Sequence, residues 1–91
     1  MSEYIEIETE ISDDNSELYV YTNLSLSENE EIYHSVEEME EGSPIAQALV
    51  SCDGIAVLEI DGRDMTIQRT DEAAWHAIVT DLSAMLKDFF L

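Results

Sequence analysis

Residues 3–11 place Tyr4, Glu6, Glu8 and Glu10 on one side of an extended chain, and Ile5, Ile7 and Ile11, with Thr9, on the other. Period-two alternation with β-branched residues describes a half-buried strand, because successive side chains point to opposite faces. A second run behaves the same way: Leu18, Val20, Thr22, Leu24 and Leu26 alternate with Tyr19, Tyr21, Asn23 and Ser25. The turn cluster Asp13-Asp14-Asn15-Ser16 between them joins the two as an antiparallel hairpin. A strand with one apolar face must bury it against a second layer, and this requirement most restricts the available folds. The outer face of the first strand is acidic, which suits an edge exposed to water.

The second half supplies that layer. Ser43 is a good N-cap, and Pro44 fits the first helical position, where its missing N–H costs no hydrogen bond. Ile45, Ala48, Leu49 and Cys52 then follow i, i+3, i+4, i+7, so the spacing predicts a helix over 44–52 ended at Asp53-Gly54. Ile55 to Ile60 and Met65 to Arg69 read as strands around an Asp61-Gly62 turn, a strong local hairpin signal. Asp71 is the expected cap of a last helix carrying Trp75, Ile78, Val79, Leu82, Met85, Leu86 and Phe89 on one stripe. Trp75, Leu49 and Ile78 belong to the core. Between the halves, Ile32 and Tyr33 suggest a brief extended segment, and Ser35 caps a short helical turn reaching Glu41. The expected order is β-β-α-β-β-α: an α+β two-layer sandwich, with an antiparallel sheet and its helices packed on one face.

The 91 residues suffice for one domain, 1–91, with a single core and no deep cleft between domains. Their charge narrows the choice of partner. Twenty-two acids face three bases, for a net charge of −19, and residues 1–41 hold 14 of the acids and no Lys or Arg. Nucleic-acid phosphate and anionic lipid would both be repelled. A high-salt host, a basic protein partner, or solubility alone would each account for the acidity. No apolar run approaches the roughly 20 residues that span a bilayer. The start, MSEYIEIE, lacks the features of a secretory signal or a mitochondrial presequence, and the lone Cys52 fits a reducing compartment. These features predict a cytoplasmic protein.

The residue types that carry chemistry do not assemble into a motif. Cys52, His34 and His76 lie on separate elements, and a structural zinc site requires four ligands. Cys52 in an apolar stretch reads as a small buried hydrophobe, and the two histidines as surface or cap residues. There is no calcium loop, nucleophile elbow or Gly-rich phosphate loop. Among 22 acids, adjacent carboxylates arise by chance. The chain is therefore expected to have no catalytic residues, metal ligands or cofactor, and to act by contacting another protein. The weak candidates for that contact are Glu37, Glu38, Glu40 and Glu41 in the acidic turn, and Phe90 in the apolar C-terminal Phe89-Phe90-Leu91. Core packing is the competing reading of the Phe pair.

Four landmarks occur in order: Gly42-Ser43-Pro44-Ile45-Ala46-Gln47-Ala48-Leu49; Gly54-Ile55; a hairpin ending Met65-Thr66-Ile67; and Trp75 followed by Asp88-Phe89-Phe90. This succession resembles the N-terminal domain of Nfu/NifU-type iron–sulfur scaffold proteins. There a GSPLAQxLF helix leads to GV, a hairpin with an ITV strand, a Trp-containing helix and often DFF. Residues 15–26 resemble the family's PNxLKF strand more loosely. The likeness covers roughly 13–91 and is specific from Gly42 onward.

The resemblance implies an accessory or adaptor module for iron–sulfur cluster assembly, in stand-alone form, contacting a scaffold or an apo-client. In the complete family proteins a Cys-x-x-Cys in a separate C-terminal domain holds the cluster, so no ligand role passes to Cys52. The chain departs from the family at Glu17, Tyr19 and Tyr21, where relatives often carry Lys. The alternative is an acidic decoy or adaptor on a basic protein surface, unrelated to iron–sulfur metabolism. The oligomeric state is left open.

Overall fold

The computed structural model describes residues 6–90. The expected strand residues Tyr4 and Ile5, and the terminal Leu91, lie outside them. The elements are β1 (Ile7–Ile11), β2 (Glu17–Thr22), β3 (Glu31–Tyr33), α1 (Val36–Glu40), α2 (Pro44–Leu49), β4 (Ile55–Asp61), β5 (Asp64–Arg69) and α3 (Trp75–Phe90). The architecture is α+β, with five antiparallel strands in the order β1-β2-β5-β4-β3. The two hairpins foreseen from the sequence join through β2 and β5, pairing Leu18 with Ile67 and Val20 with Met65. The brief extended segment is a true edge strand, β3, paired with β4.

Alternation decides which side of the sheet is covered. Leu18 and Val20 on β2, Leu58 and Ile60 on β4, and Met65 and Ile67 on β5 are all buried. They share one core with Met39 of α1, Ile45, Ala46 and Leu49 of α2, and Trp75, Ile78, Leu82 and Leu86 of α3. Each such large side chain contributes on the order of 1.5–3 kcal/mol by leaving water. In register with this face, Ile7 is half-buried, but Ile11 is 45% exposed despite standing opposite Leu18. As an edge strand, β1 lies at the margin of the core, so alternation there fixes the side but not the burial.

Three boundaries and one side-chain placement differ from the sequence reading, the boundaries each for a local hydrogen-bonding reason. The second strand ends at Thr22 rather than Leu26, because Thr22 Oγ1 accepts from Leu24 N at 3.1 Å and donates to Arg63 O at 2.8 Å. The chain then turns onto the β4–β5 turn, where Leu26 N donates to Gly62 O at 2.9 Å and the Leu26 side chain still reaches the core. The Ser43 cap accepts from Ala46 N at 3.4 Å, but α2 closes at Leu49. Beyond it, Ser51 N and Cys52 N donate three residues back, and Ser51 Oγ also donates to Ala48 O. This tighter turn keeps Cys52 buried.

In place of the Asp71 cap, a turn closed by Ala73 N donating to Thr70 O precedes α3, which starts at Trp75. The fourth difference is at the other end of that helix. Phe90 packs against the core, while Phe89, assigned to the stripe, is 42% exposed and meets Phe90 edge-on at 5.0 Å.

Candidate functional site

Serine capping builds the acidic segment into a helix. Ser35 Oγ accepts from Glu38 N at 3.1 Å, and Glu38 Oε1 reaches back to accept from His34 N at 3.1 Å. Negative charge in that first turn also suits the helix dipole. Glu37, Glu38 and Glu40 are exposed on α1, and Glu41 is exposed as its C-cap, so four carboxylates face water along one short element. Phe90 belongs to a different element and is half-buried against the core. Met39 anchors α1 by pointing into the core.

Next to α1, a small polar cluster ties β3 to the start of α2. Tyr33 hydroxyl donates to Glu31 Oε1 and accepts from Ser43 N at 3.2 Å. Burial alone would raise the Glu31 pKa, but hydrogen bonds from Ser27, Ser43 and Tyr33 outweigh it and hold the carboxyl below the usual glutamate value.

The face of the sheet opposite the core carries Glu8 and Glu10 on β1, Glu17, Tyr19 and Tyr21 on β2, Asp64, Thr66 and Gln68 on β5, and Glu59 and Asp61 on β4. Glu10 stands beside Tyr19 and Glu8 beside Tyr21; across β2, Tyr19 faces Thr66 and Tyr21 faces Asp64. A shallow depression of about 200 Å³ lies here, lined by Tyr19, Tyr21, Glu59, Asp61, Asp64, Met65 and Thr66. The charge of Glu17, then partial burial, raises the Tyr19 pKa, so its phenol stays neutral. The sequence alternation placed both tyrosines opposite Leu18 and Val20. Bringing Glu59, Asp61 and Asp64 beside them needed the β2–β5 pairing, which no local pattern announces.

Two further grooves flank α3. One of about 360 Å³ runs past Asp53, Gly54, Ala73, Ala77 and Asp81, and one of about 460 Å³ past Cys52, Asp81, Met85 and Asp88. Cys52 is a free, buried thiol whose pKa is pushed up to about 11, chiefly by burial and then by Asp81 and Asp53. His34 and His76 are exposed on separate elements. Among the described residues no three His, Cys, Asp or Glu side chains are placed to hold one metal ion. No helix among them is long and apolar enough to cross a membrane.

The chain superposes on the solution structure of a NifU-like protein from Saccharomyces cerevisiae with a TM-score of 0.73, over 92% of this chain and 76% of that one, at 19% identity. The fold is NifU-like. A crystal structure of protein SAV1430 from Staphylococcus aureus shares it, with a TM-score of 0.70 over 88% of this chain and 96% of that one, at 10% identity. No family model matches the chain, and no curated protein matches it.

Within this NifU-like fold the four sequence landmarks fall on α2, β4, β5 and α3 in turn. Gly42-Ser43-Pro44 opens α2, Gly54-Ile55 starts β4, Met65-Thr66-Ile67 forms the centre of β5, and Trp75 to Phe90 spans α3. Within them Ile45, Leu49, Ile55, Met65, Ile67 and Trp75 are buried in the core. None of the acidic residues of the open face belongs to these landmarks.

Proposed function

We propose that this chain is a non-enzymatic accessory module of iron–sulfur cluster assembly, acting in the cytoplasm by contact with a scaffold or an apo-client protein. The observation that carries the reading is the coincidence of two likenesses. The ordered landmarks resemble the N-terminal domain of Nfu/NifU-type scaffold proteins, and the backbone shares its fold with a yeast NifU-like protein over 92% of the chain. The buried, hard-to-ionise thiol of Cys52 agrees with a module that leaves cluster ligation to its partner. The exposed carboxylates of Glu37, Glu38, Glu40 and Glu41 are available for that contact.

The test is a titration of the isotopically labelled chain with a Cys-x-x-Cys scaffold protein from the same organism, and with apo-ferredoxin-type clients. Saturable amide shifts with at least one of them are expected. Their absence with all of them would overturn the assignment. A stoichiometric cluster absorbance on this chain alone, after anaerobic addition of iron and sulfide, would overturn the contact-only mechanism.

A further inference from the structure

We infer that the open face of the sheet is the docking surface, and that its occupant is an arginine-bearing basic segment of a partner protein, seated on Tyr19 and Tyr21. The inference rests on the contact function proposed above and names the surface and the chemistry it selects.

Three observations converge on this face. It is uncovered among the described residues, because the core-facing side chains of β2, β4 and β5 all point the other way. It carries two aromatic rings on β2, between the edge strand β1 and the central strand β5, with Tyr21 42% exposed and Tyr19 half-buried beside it, over a depression of about 200 Å³. Around those rings stand Glu8, Glu10, Glu17, Glu59, Asp61 and Asp64, and none of them is ion-paired with Lys or Arg among the described residues.

Charge complementarity fixes the class of occupant. Such a surface repels phosphate and anionic lipid and attracts cations. A bound metal ion would need several ligands converging on one point, and these carboxylates are not so arranged. Individual exposed ion pairs are weak and would not define a site by themselves. A guanidinium adds what they lack, since it stacks flat on a tyrosine ring while its N–H groups fork to neighbouring carboxylates. Tyr19 and Tyr21 are two residues apart on one strand, the spacing at which alternate side chains of an extended peptide fall. The rings select arginine and the carboxylates hold it.

The experiment titrates the labelled chain with an unstructured peptide carrying arginine at alternate positions, in parallel with its lysine and glutamate counterparts. The expected result is saturable shifts centred on Tyr19, Tyr21, Glu59 and Thr66, in the affinity order arginine, lysine, glutamate. Raising salt from about 0.05 M to about 0.5 M should weaken binding about tenfold. Tyr19→Thr with Tyr21→Thr keeps strand propensity and charge and should cost about fivefold or more. Glu59→Gln with Asp64→Asn, which keeps both rings, should also weaken binding.

Shifts centred on Glu37 to Glu41, shifts spread evenly over all acidic residues, or wild-type affinity in the tyrosine variant would each overturn the inference. The same variants are then tested against the iron–sulfur scaffold. A complex that forms unchanged with them leaves the proposed function standing and removes this docking face. Peptide binding at the face with no complex to any iron–sulfur protein does the reverse.

Discussion

The indole Nε1–H of Trp75 donates to the backbone carbonyl of Asn15 at 3.1 Å, joining two segments 60 positions apart in sequence. The segments are the β1–β2 turn and the first residue of α3. Asn15 aims its carbonyl there from a left-handed backbone, φ 64°, which asparagine tolerates better than other residues with a Cβ. The Arg69 guanidinium lies over the indole, 5.4 Å from the ring centre, and donates to Ala73 O at 2.5 Å. One tryptophan thus fixes the edge hairpin, the end of β5 and the entry to the last helix.

Trp75→Phe keeps most of the buried ring and removes only the donor, so it should lower unfolding free energy by about 1–2 kcal/mol. Trp75→Ala should cost about 3–5 kcal/mol by opening a cavity. Asn15→Ala should cost about 1 kcal/mol through its left-handed backbone, whereas Asn15→Gly should remain near wild type. Urea titration of the four variants checks the ranking; an Asn15→Ala protein as stable as Asn15→Gly would show that the turn relaxes instead.

How far the sequence shows this fold depends on the range of each interaction. Ser35, Ser43 and Pro44 announced their helices because a cap acts within four residues. Gly54 was equally legible as the end of a helical segment, and the structure gives it φ 98° with Ala73 where a Cβ would stand. What stayed hidden was long-range. The Trp75–Asn15 bond, the β2–β5 pairing that assembles the open face, and the pairing of the extended Ile32-Tyr33 segment with β4 all depend on partners distant in sequence. Alternation placed Ile11 on the correct side of the sheet without revealing that the margin leaves it exposed. The acids of α1 were legible as an exposed run, whereas the grouping of Glu59 and Asp64 around Tyr19 and Tyr21 was not.

The Glu31 cluster predicts a specific acid response. Its carboxyl is held below the ordinary value of about 4.5 by hydrogen bonds made only in the folded protein. A folded-state pKa below the unfolded one means the stabilisation is complete above the unfolded value and is lost as pH falls through the folded one. Glu31→Gln should therefore lose stability at neutral pH, by up to about 1 kcal/mol because the group is partly solvated. The gap from wild type should close as pH drops below about 4.5. Parallel urea titrations between neutral pH and the acid limit would read this; a gap that widens on acidification would contradict the assigned hydrogen bonds.

Repulsion among 22 acids and three bases should make the fold sensitive to salt in the opposite sense from a protein held by ion pairs. Raising KCl from about 0.1 M to about 1 M shortens the screening length from about 10 Å to about 3 Å. The midpoint of thermal unfolding at neutral pH should rise by about 5–10 °C, corresponding to roughly 1–2 kcal/mol in a domain of this size. A midpoint that falls with salt would mean that attractive pairs outweigh the repulsion.

Cys52 gives the sharpest chemical prediction. Its thiol is pushed up to about 11, first by burial and then by the charges of Asp81 and Asp53. Thiolate, the form that attacks disulfide reagents and binds metal, is therefore scarce at neutral pH. In the folded protein at pH 8, labelling by an aromatic disulfide should run at least about a hundredfold slower than in urea, limited by transient opening. Asp81→Asn should bring the thiol down only modestly, because burial, the larger cause, remains. The folded pKa lies above the ordinary thiol value of 9.0, so the associated stability is intact below pH 9 and is lost as pH rises toward 11. Cys52→Ala should remove that alkaline loss while leaving the acid limb unchanged, and rapid native-state labelling at pH 8 would refute the buried, neutral thiol.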